Sequence, residues 1–178
     1  MGWKLMPIIY KEGDLLESGV GVICQQLNCL AVRPHGLSET ISNRFPYANV
    51  YSRRRSNGGR NLAIKEDQGI PGEIVVSKSE VISSGYNPIV VGIYGQYDYG
   101  KPHRPYTLCP SETAEMRIQW FKSGLDKLKQ FLLSNSIHEV AFPYLIGCNL
   151  AGGDWNIYSK LLLDFATDTK IHVIIYKL

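Results

Sequence analysis

Residues 141–155 read AFPYLIGCNLAGGDW, and they hold the densest chemical potential of the chain. The apolar run ending in Pro143 predicts a buried strand. A loop with Gly147, Gly152 and Gly153 follows, and Ile157, Leu161, Leu162 and Phe165 then recur at helical spacing. A strand, a glycine loop and a helix start together offer unpaired backbone N–H groups and a positive dipole end to a phosphate. Glycine permits positive φ and close approach of a ligand; the same residues would also suit a plain flexible connector. Upstream, residues 20–24 predict a second strand, and Gln25, Gln26 and Asn28 stand at its carboxyl end. Amides there either contact a ligand at the open edge of an α/β sheet or cap loop backbone. His35, in the turn Arg33-Pro34-His35-Gly36, could act as a general base on water or as a nucleophile toward phosphorus. It could equally be a hydrogen-bonding loop residue. Asp154 opens the last helix, where a carboxylate gains from the dipole and can cap the first turn. Arg33 could pair bidentately with a phosphate or face solvent.

The elements that must position these groups alternate along the chain. Strands are predicted near residues 6–10, 20–24, 73–76, 88–94, 140–143 and 171–176. The run 88–94 is nearly continuous in β-branched residues, which predicts burial on both faces. Leu37, Ile41 and Phe45 predict a helix begun at Gly36 or Ser38 and ended by Pro46. A short helix is expected over 48–54. A long amphipathic helix is expected from Ser111 and Glu112 through Ile118, Phe121, Leu125, Leu128 and Leu132. Residues 95–110 form a loop with three tyrosines and three prolines, suited to covering a site. Tyr97, Tyr99, His103 and Arg104 in it are further candidates for ligand contact. Trp155 is expected in the core. The pattern predicts an α/β fold of three layers with a mixed sheet.

Length and composition narrow the function classes. A chain of 178 residues is expected to be one domain. A formal charge of +3 is too small to argue for nucleic acid, and Arg53, Arg54, Arg55 and Arg60 read as a solvated face. Cys24, Cys29, Cys109 and Cys148 show neither C-x-x-C pairs nor metal spacing, so no metal or other cofactor is expected. Cys24 and Cys29 are expected as buried reduced thiols. No apolar run approaches a membrane span, no signal peptide is seen, and Met6 breaks the myristoylation pattern after Gly2. A cytoplasmic or nuclear protein is the expectation.

In this order the motifs resemble those of the macro domain, the ADP-ribose-binding fold, over nearly the whole chain. KEGDLL (residues 11–16) resembles the family's early Gly-Asp turn. ICQQLNCL (residues 23–30) resembles the strand that delivers an asparagine to the distal ribose. FPYLIGCNLAGGDW (residues 142–155) resembles the second phosphate-binding loop. LDKLKQF (residues 125–131) and the ending IIYKL (residues 174–178) look closest to the branch of ADP-ribose-1″-phosphate phosphatases and related viral proteins. The resemblance implies a three-layer α/β/α domain with a mixed, mostly parallel sheet of about six strands. It also implies an ADP-ribose site made by Asp14, Leu15, Gly36, Gln96, Ile146, Gly147, Cys148, Asn149, Leu150, Ala151, Gly152 and Gly153, with Asp14 accepting from the adenine amine. Asn28 and Asp154 are implied members of the catalytic group, and His35, taken from its own chemistry and place in the loop, completes it. Two departures stand out: residues 31–37 (AVRPHGL) replace a run of glycines, and Asn149 replaces a glycine.

The implied function is hydrolysis of an ADP-ribose derivative, first as an ADP-ribose-1″-phosphate phosphatase. Alternatives are an ADP-ribosyl hydrolase acting on protein or nucleic acid, and a non-catalytic ADP-ribose reader. No membrane partner and a monomeric state are expected.

Overall fold

The computed structural model describes residues 7–81, 85–102 and 111–178. Its strands are β1 (Ile8–Glu12), β2 (Val22–Asn28), β3 (Ile74–Ser77), β4 (Ile89–Gln96), β5 (Glu139–Pro143) and β6 (His172–Lys177). Its helices are α1 (Leu37–Arg44), α2 (Ala114–Ser134) and α3 (Trp155–Thr169). One sheet runs in the order β1-β6-β5-β2-β4-β3. Every pairing is parallel except that of β3, which lies antiparallel on β4 at the edge. The mixed six-strand sheet between helical layers is the α/β architecture that the alternating pattern predicts.

Side-chain alternation sorts the core into two layers. Val22 and Cys24 of β2, Val91 and Ile93 of β4, and Phe142 of β5 meet Phe121, Leu125, Leu128 and Leu132 of α2 and Tyr158, Leu162 and Phe165 of α3. The opposite face, with Ile23, Val90, Ala141 and Ile174, meets Ile41 of α1, Phe45 and Ala48. Each large side chain fully withdrawn from water contributes about 1.5–3 kcal/mol, so this burial is the main favourable term.

Several expectations change in the folded chain. β2 continues through Gln25, Gln26 and Asn28, which therefore belong to the strand rather than to a loop after it. Residues 48–54 form two separate 3-10 turns, Pro46–Ala48 and Tyr51–Arg53, not one helix. Asn49 divides them: its side-chain oxygen accepts the Ser52 N–H at 3.1 Å, competing with a helical partner. α2 starts at Ala114, because Thr113 caps it by accepting the Met116 N–H at 3.0 Å. Trp155 is only half-buried, set edge-on against Tyr144 at 5.2 Å, while Ile157 is exposed and Tyr158 fills the core instead.

The arginine cluster is not one solvated face. Arg54 is buried; its guanidinium donates to the carbonyls of Ala31 (2.6 Å) and Asn28 (2.9 Å) and stacks 4.6 Å from the Tyr51 ring. Arg55 is exposed and pairs with Asp67, holding that carboxyl down at about 2.

A second buried guanidinium organises the other half of the fold. Arg117 and Glu112 form an ion pair at 2.6 Å with side chains 3% and 5% exposed. Arg117 also donates to the carbonyls of Asp98, Gly100 and Ala151, and Glu112 accepts the N–H groups of Tyr97 and Asp98. Arg117→Met strands a buried carboxylate, so urea denaturation at pH 7 should show a loss of about 3–5 kcal/mol. A loss under about 1 kcal/mol would mean that the pair is dispensable.

Candidate functional site

The carboxyl ends of β2, β4 and β5 open into a cavity of about 330 Å³. One wall is the turn His35-Gly36 leading into α1; the other is the segment 143–151 after β5; Tyr99 and Gly100 close one side. Parallel strands bring their carboxyl ends to one edge, and there an open α/β sheet forms a crevice.

Asn28, His35, Gly36, Gln96, Ile146, Gly147, Asn149, Leu150 and Ala151 of the sequence-derived set line this cavity together. Asp14, Leu15, Cys148, Gly152, Gly153 and Asp154 stand off its wall. Asp14 caps the 3-10 turn Leu15–Glu17, accepting the Leu16 N–H at 2.9 Å, and Leu15 is buried in the core. Asp154 caps α3, accepting the Asn156 N–H at 2.9 Å. Tyr97 is turned away, its ring 6.2 Å from that of Trp120, whereas Tyr99 reaches the cavity. Arg33 is exposed, and its backbone N–H donates to Asn61. His103, Arg104 and Cys109 lie outside the described residues.

Each lining side chain has a definite support. Asn28 sits at the end of β2; its carbonyl oxygen Oδ1 accepts the Ala31 N–H at 2.8 Å, which leaves the amide NH₂ to donate. The hydroxyl of buried Tyr51 accepts the Asn28 N–H, and burial raises the phenol's pKa, so it stays protonated. His35 is exposed; Ser38 Oγ holds its backbone on both sides, at 3.1 Å from the N–H and 2.8 Å from the carbonyl. Its ring nitrogens bond to no described residue. On the floor, Gln26 Nε2 donates to Gln96 Oε1 (2.7 Å) and Gln96 Nε2 donates to the Asp98 carbonyl (2.9 Å). A carbonyl only accepts, so it orients both amides and leaves Gln26 Oε1 buried without a partner among the described residues.

The loop wall is a donor surface. Among the described residues, the N–H groups of Gly147, Asn149, Leu150 and Ala151 meet no acceptor. Leu145 takes a positive φ of 63° to start this loop, the kind of local strain that collects at binding sites. Gly147 also has positive φ, 74°, and a Cβ there would stand 2.6 Å from the Tyr158 ring and 2.9 Å from Gln26 Oε1. Cys148 is half-buried, and burial with the nearby Asp154 charge pushes its thiol up to about 12. No group of three His, Cys, Asp or Glu among the described residues could hold a metal ion. No described helix is long and apolar enough to cross a membrane.

Sequence reasoning missed Tyr51, Ser38, Tyr144 and Leu37 as lining residues. Tyr51 lies in an irregular segment whose spacing carries no signal, and only the fold brings it under Asn28.

No protein-family model and no curated protein matches the sequence. Solved structures do share its fold. The macrodomain of Mycobacterium tuberculosis DarG is 21% identical, with a TM-score of 0.66 over 96% of this chain and 97% of that one. Thermosipho africanus DarTG in complex with ADP-ribose is 20% identical, with a TM-score of 0.67 over 94% of this chain and 41% of that one. An Oceanobacillus iheyensis macrodomain with ADP is 12% identical, with a TM-score of 0.61 over 95% and 81%. The chain therefore has the macrodomain fold. These likenesses do not assign it to the phosphatase-like branch.

Two outcomes test this geometry. Gly147→Ala should force the loop off Tyr158 and lower stability by roughly 1–3 kcal/mol in thermal or urea unfolding. Cys148 should resist iodoacetamide at pH 8, because the reactive thiolate is scarce four units below its pKa of about 12. Mass spectrometry of the Cys148 peptide reads this, and alkylation as fast as that of a free thiol would contradict it.

Proposed function

We propose that this chain binds ADP-ribose in the cavity and hydrolyses an ADP-ribose derivative, removing the phosphate of ADP-ribose-1″-phosphate. One observation carries the reading: His35, whose ring bonds to no described residue, lines the same cavity as a loop whose N–H groups meet no acceptor among the described residues. Such N–H groups suit a diphosphate without a metal. Macrodomains of the same fold solved with ADP-ribose and with ADP support the ligand class.

The residues divide the work by position. The Asn28 NH₂ donates to a distal ribose hydroxyl and fixes that sugar. His35, unpaired at the rim, takes a proton from water as the water oxygen attacks phosphorus. The bond between phosphorus and the C1″ oxygen then breaks, that oxygen takes the proton from His35, and phosphate and ADP-ribose leave. The loop N–H groups hold the charge on the phosphates. Asp154 is engaged at the α3 cap and off the cavity wall, which makes His35 the first candidate for the base.

A second reading, release of ADP-ribose from a protein or nucleic acid, is favoured by the rim. Leu37, Tyr99 and Leu150 are 40%, 39% and 56% exposed around the opening, so a larger carrier could rest on apolar surface. Incubation with ADP-ribose-1″-phosphate and with ADP-ribosylated protein and nucleic acid, followed by product analysis, separates the two. Absence of any product with intact binding would leave a reader.

ADP-ribose binding in calorimetry should survive EDTA, and its loss on chelation would contradict a metal-free site. His35→Ala should lower turnover on the order of a hundredfold with little change in ADP-ribose affinity. Normal turnover in His35→Ala together with loss in Asp154→Asn would transfer the role to Asp154.

A further inference from the structure

We infer that Lys101 is a ligand-binding cation of this site, and that Gly152 is glycine in order to seat its side chain. The inference rests on reading the cavity as an ADP-ribose site and adds a residue and an electrostatic contribution to it.

The placement follows from Arg117. Its Nη1 donates to the carbonyls of Gly100 (2.6 Å) and Ala151 (3.1 Å), so one buried guanidinium pins the strap after β4 beside the glycine loop. Both Gly100 and Ala151 line the cavity. The next residue on each segment, Lys101 and Gly152, must then lie side by side. They do: a Cβ on Gly152 would stand 2.8 Å from Lys101 Cγ, 3.3 Å from Cδ and 3.4 Å from Cε. The lysine stem runs along the Gly152 backbone and occupies the space a side chain would need. Gly152 also has a positive φ of 74°, so both conformation and space exclude other residues.

Lys101 is exposed and makes no ion pair among the described residues, whereas Lys127 is matched to Glu73. In the loop leading to Gly152, the N–H groups of Asn149, Leu150 and Ala151 meet no acceptor among the described residues. An ordered, unmatched cation next to unfilled donors attracts an anion, and the diphosphate of ADP-ribose supplies one. A lysine suits this as a compact point charge, with part of its rotamer freedom already given up against Gly152.

Calorimetry with ADP-ribose and with uncharged adenosine, at low and at physiological salt, tests the assignment on the folded full chain. Lys101→Met should weaken ADP-ribose binding about tenfold, flatten its salt dependence and leave adenosine affinity unchanged, as loss of one phosphate-pairing charge requires. Lys101→Arg should stay within about threefold of the parent, since the charge is kept. Gly152→Ala should weaken ADP-ribose about tenfold in the parent and clearly less beside Lys101→Met, because the part lost through the lysine contact disappears while the part due to backbone strain at positive φ remains. Circular dichroism confirms that each variant is folded. Unchanged affinity and salt dependence in Lys101→Met would overturn the inference while leaving the cavity reading intact. Equal losses from Gly152→Ala in both backgrounds would overturn the seating role. A parent chain that does not bind ADP-ribose would remove the cavity reading and this inference together.

Discussion

The buried pair of Arg117 and Glu112 is the constraint on which the site depends. Removing two charges from water is costly, and it is tolerated only where the remaining hydrogen-bonding capacity is filled. Here both guanidinium Nη atoms and both carboxylate oxygens are engaged, with only Arg117 Nε left over. Because the pair stands at the start of α2 and its partners are backbone groups of two further segments, it fixes the start of α2, the strap 97–100 and the glycine loop relative to one another. An apolar pair of the same volume could fill the space but could not orient those peptides.

Arg54 does the corresponding work across the cavity. It gathers the carbonyls of Asn28 and Ala31 beneath Tyr51 and Tyr94, and so holds the chain as it leaves β2 toward His35. Buried cations thus bind carbonyl oxygens on both sides of the cavity, while loop N–H groups in its wall meet no acceptor among the described residues. The result is a surface that favours an anion by backbone dipoles before any side-chain charge is counted.

The same division explains how this fold accommodates a departure from the glycine-rich pattern. Residues 31–37 offer one glycine, Gly36, and it sits at the N-cap of α1 with φ 60°, where the chain must turn sharply. Ser38 replaces glycine flexibility with two hydrogen bonds to the His35 backbone, so the turn is held rather than loose. A held turn fixes the backbone from which the His35 side chain projects at the cavity.

Much of the architecture was legible in the residue pattern because it depends on near neighbours. Apolar alternation and the β-branched run gave β4, helical spacing gave α2 and α3, and the glycine loop after β5 was visible from its composition. The capping role of Asp154 was legible for the same reason, since a cap bonds two residues away. Resemblance of motifs extended this to the family's fold and to half of the residues that line the cavity. What the residue pattern could not supply were roles created by contacts distant in sequence. Arg54 looked like one of four surface arginines, yet the closure of β2 against Tyr51 buries it. Arg117 in the amphipathic helix and Lys101 in the loop suited to covering a site carried no individual signal in the residue pattern. Their functions are decided by which backbone carbonyls and which glycine the sheet order brings beside them, and that is a property of the tertiary structure alone.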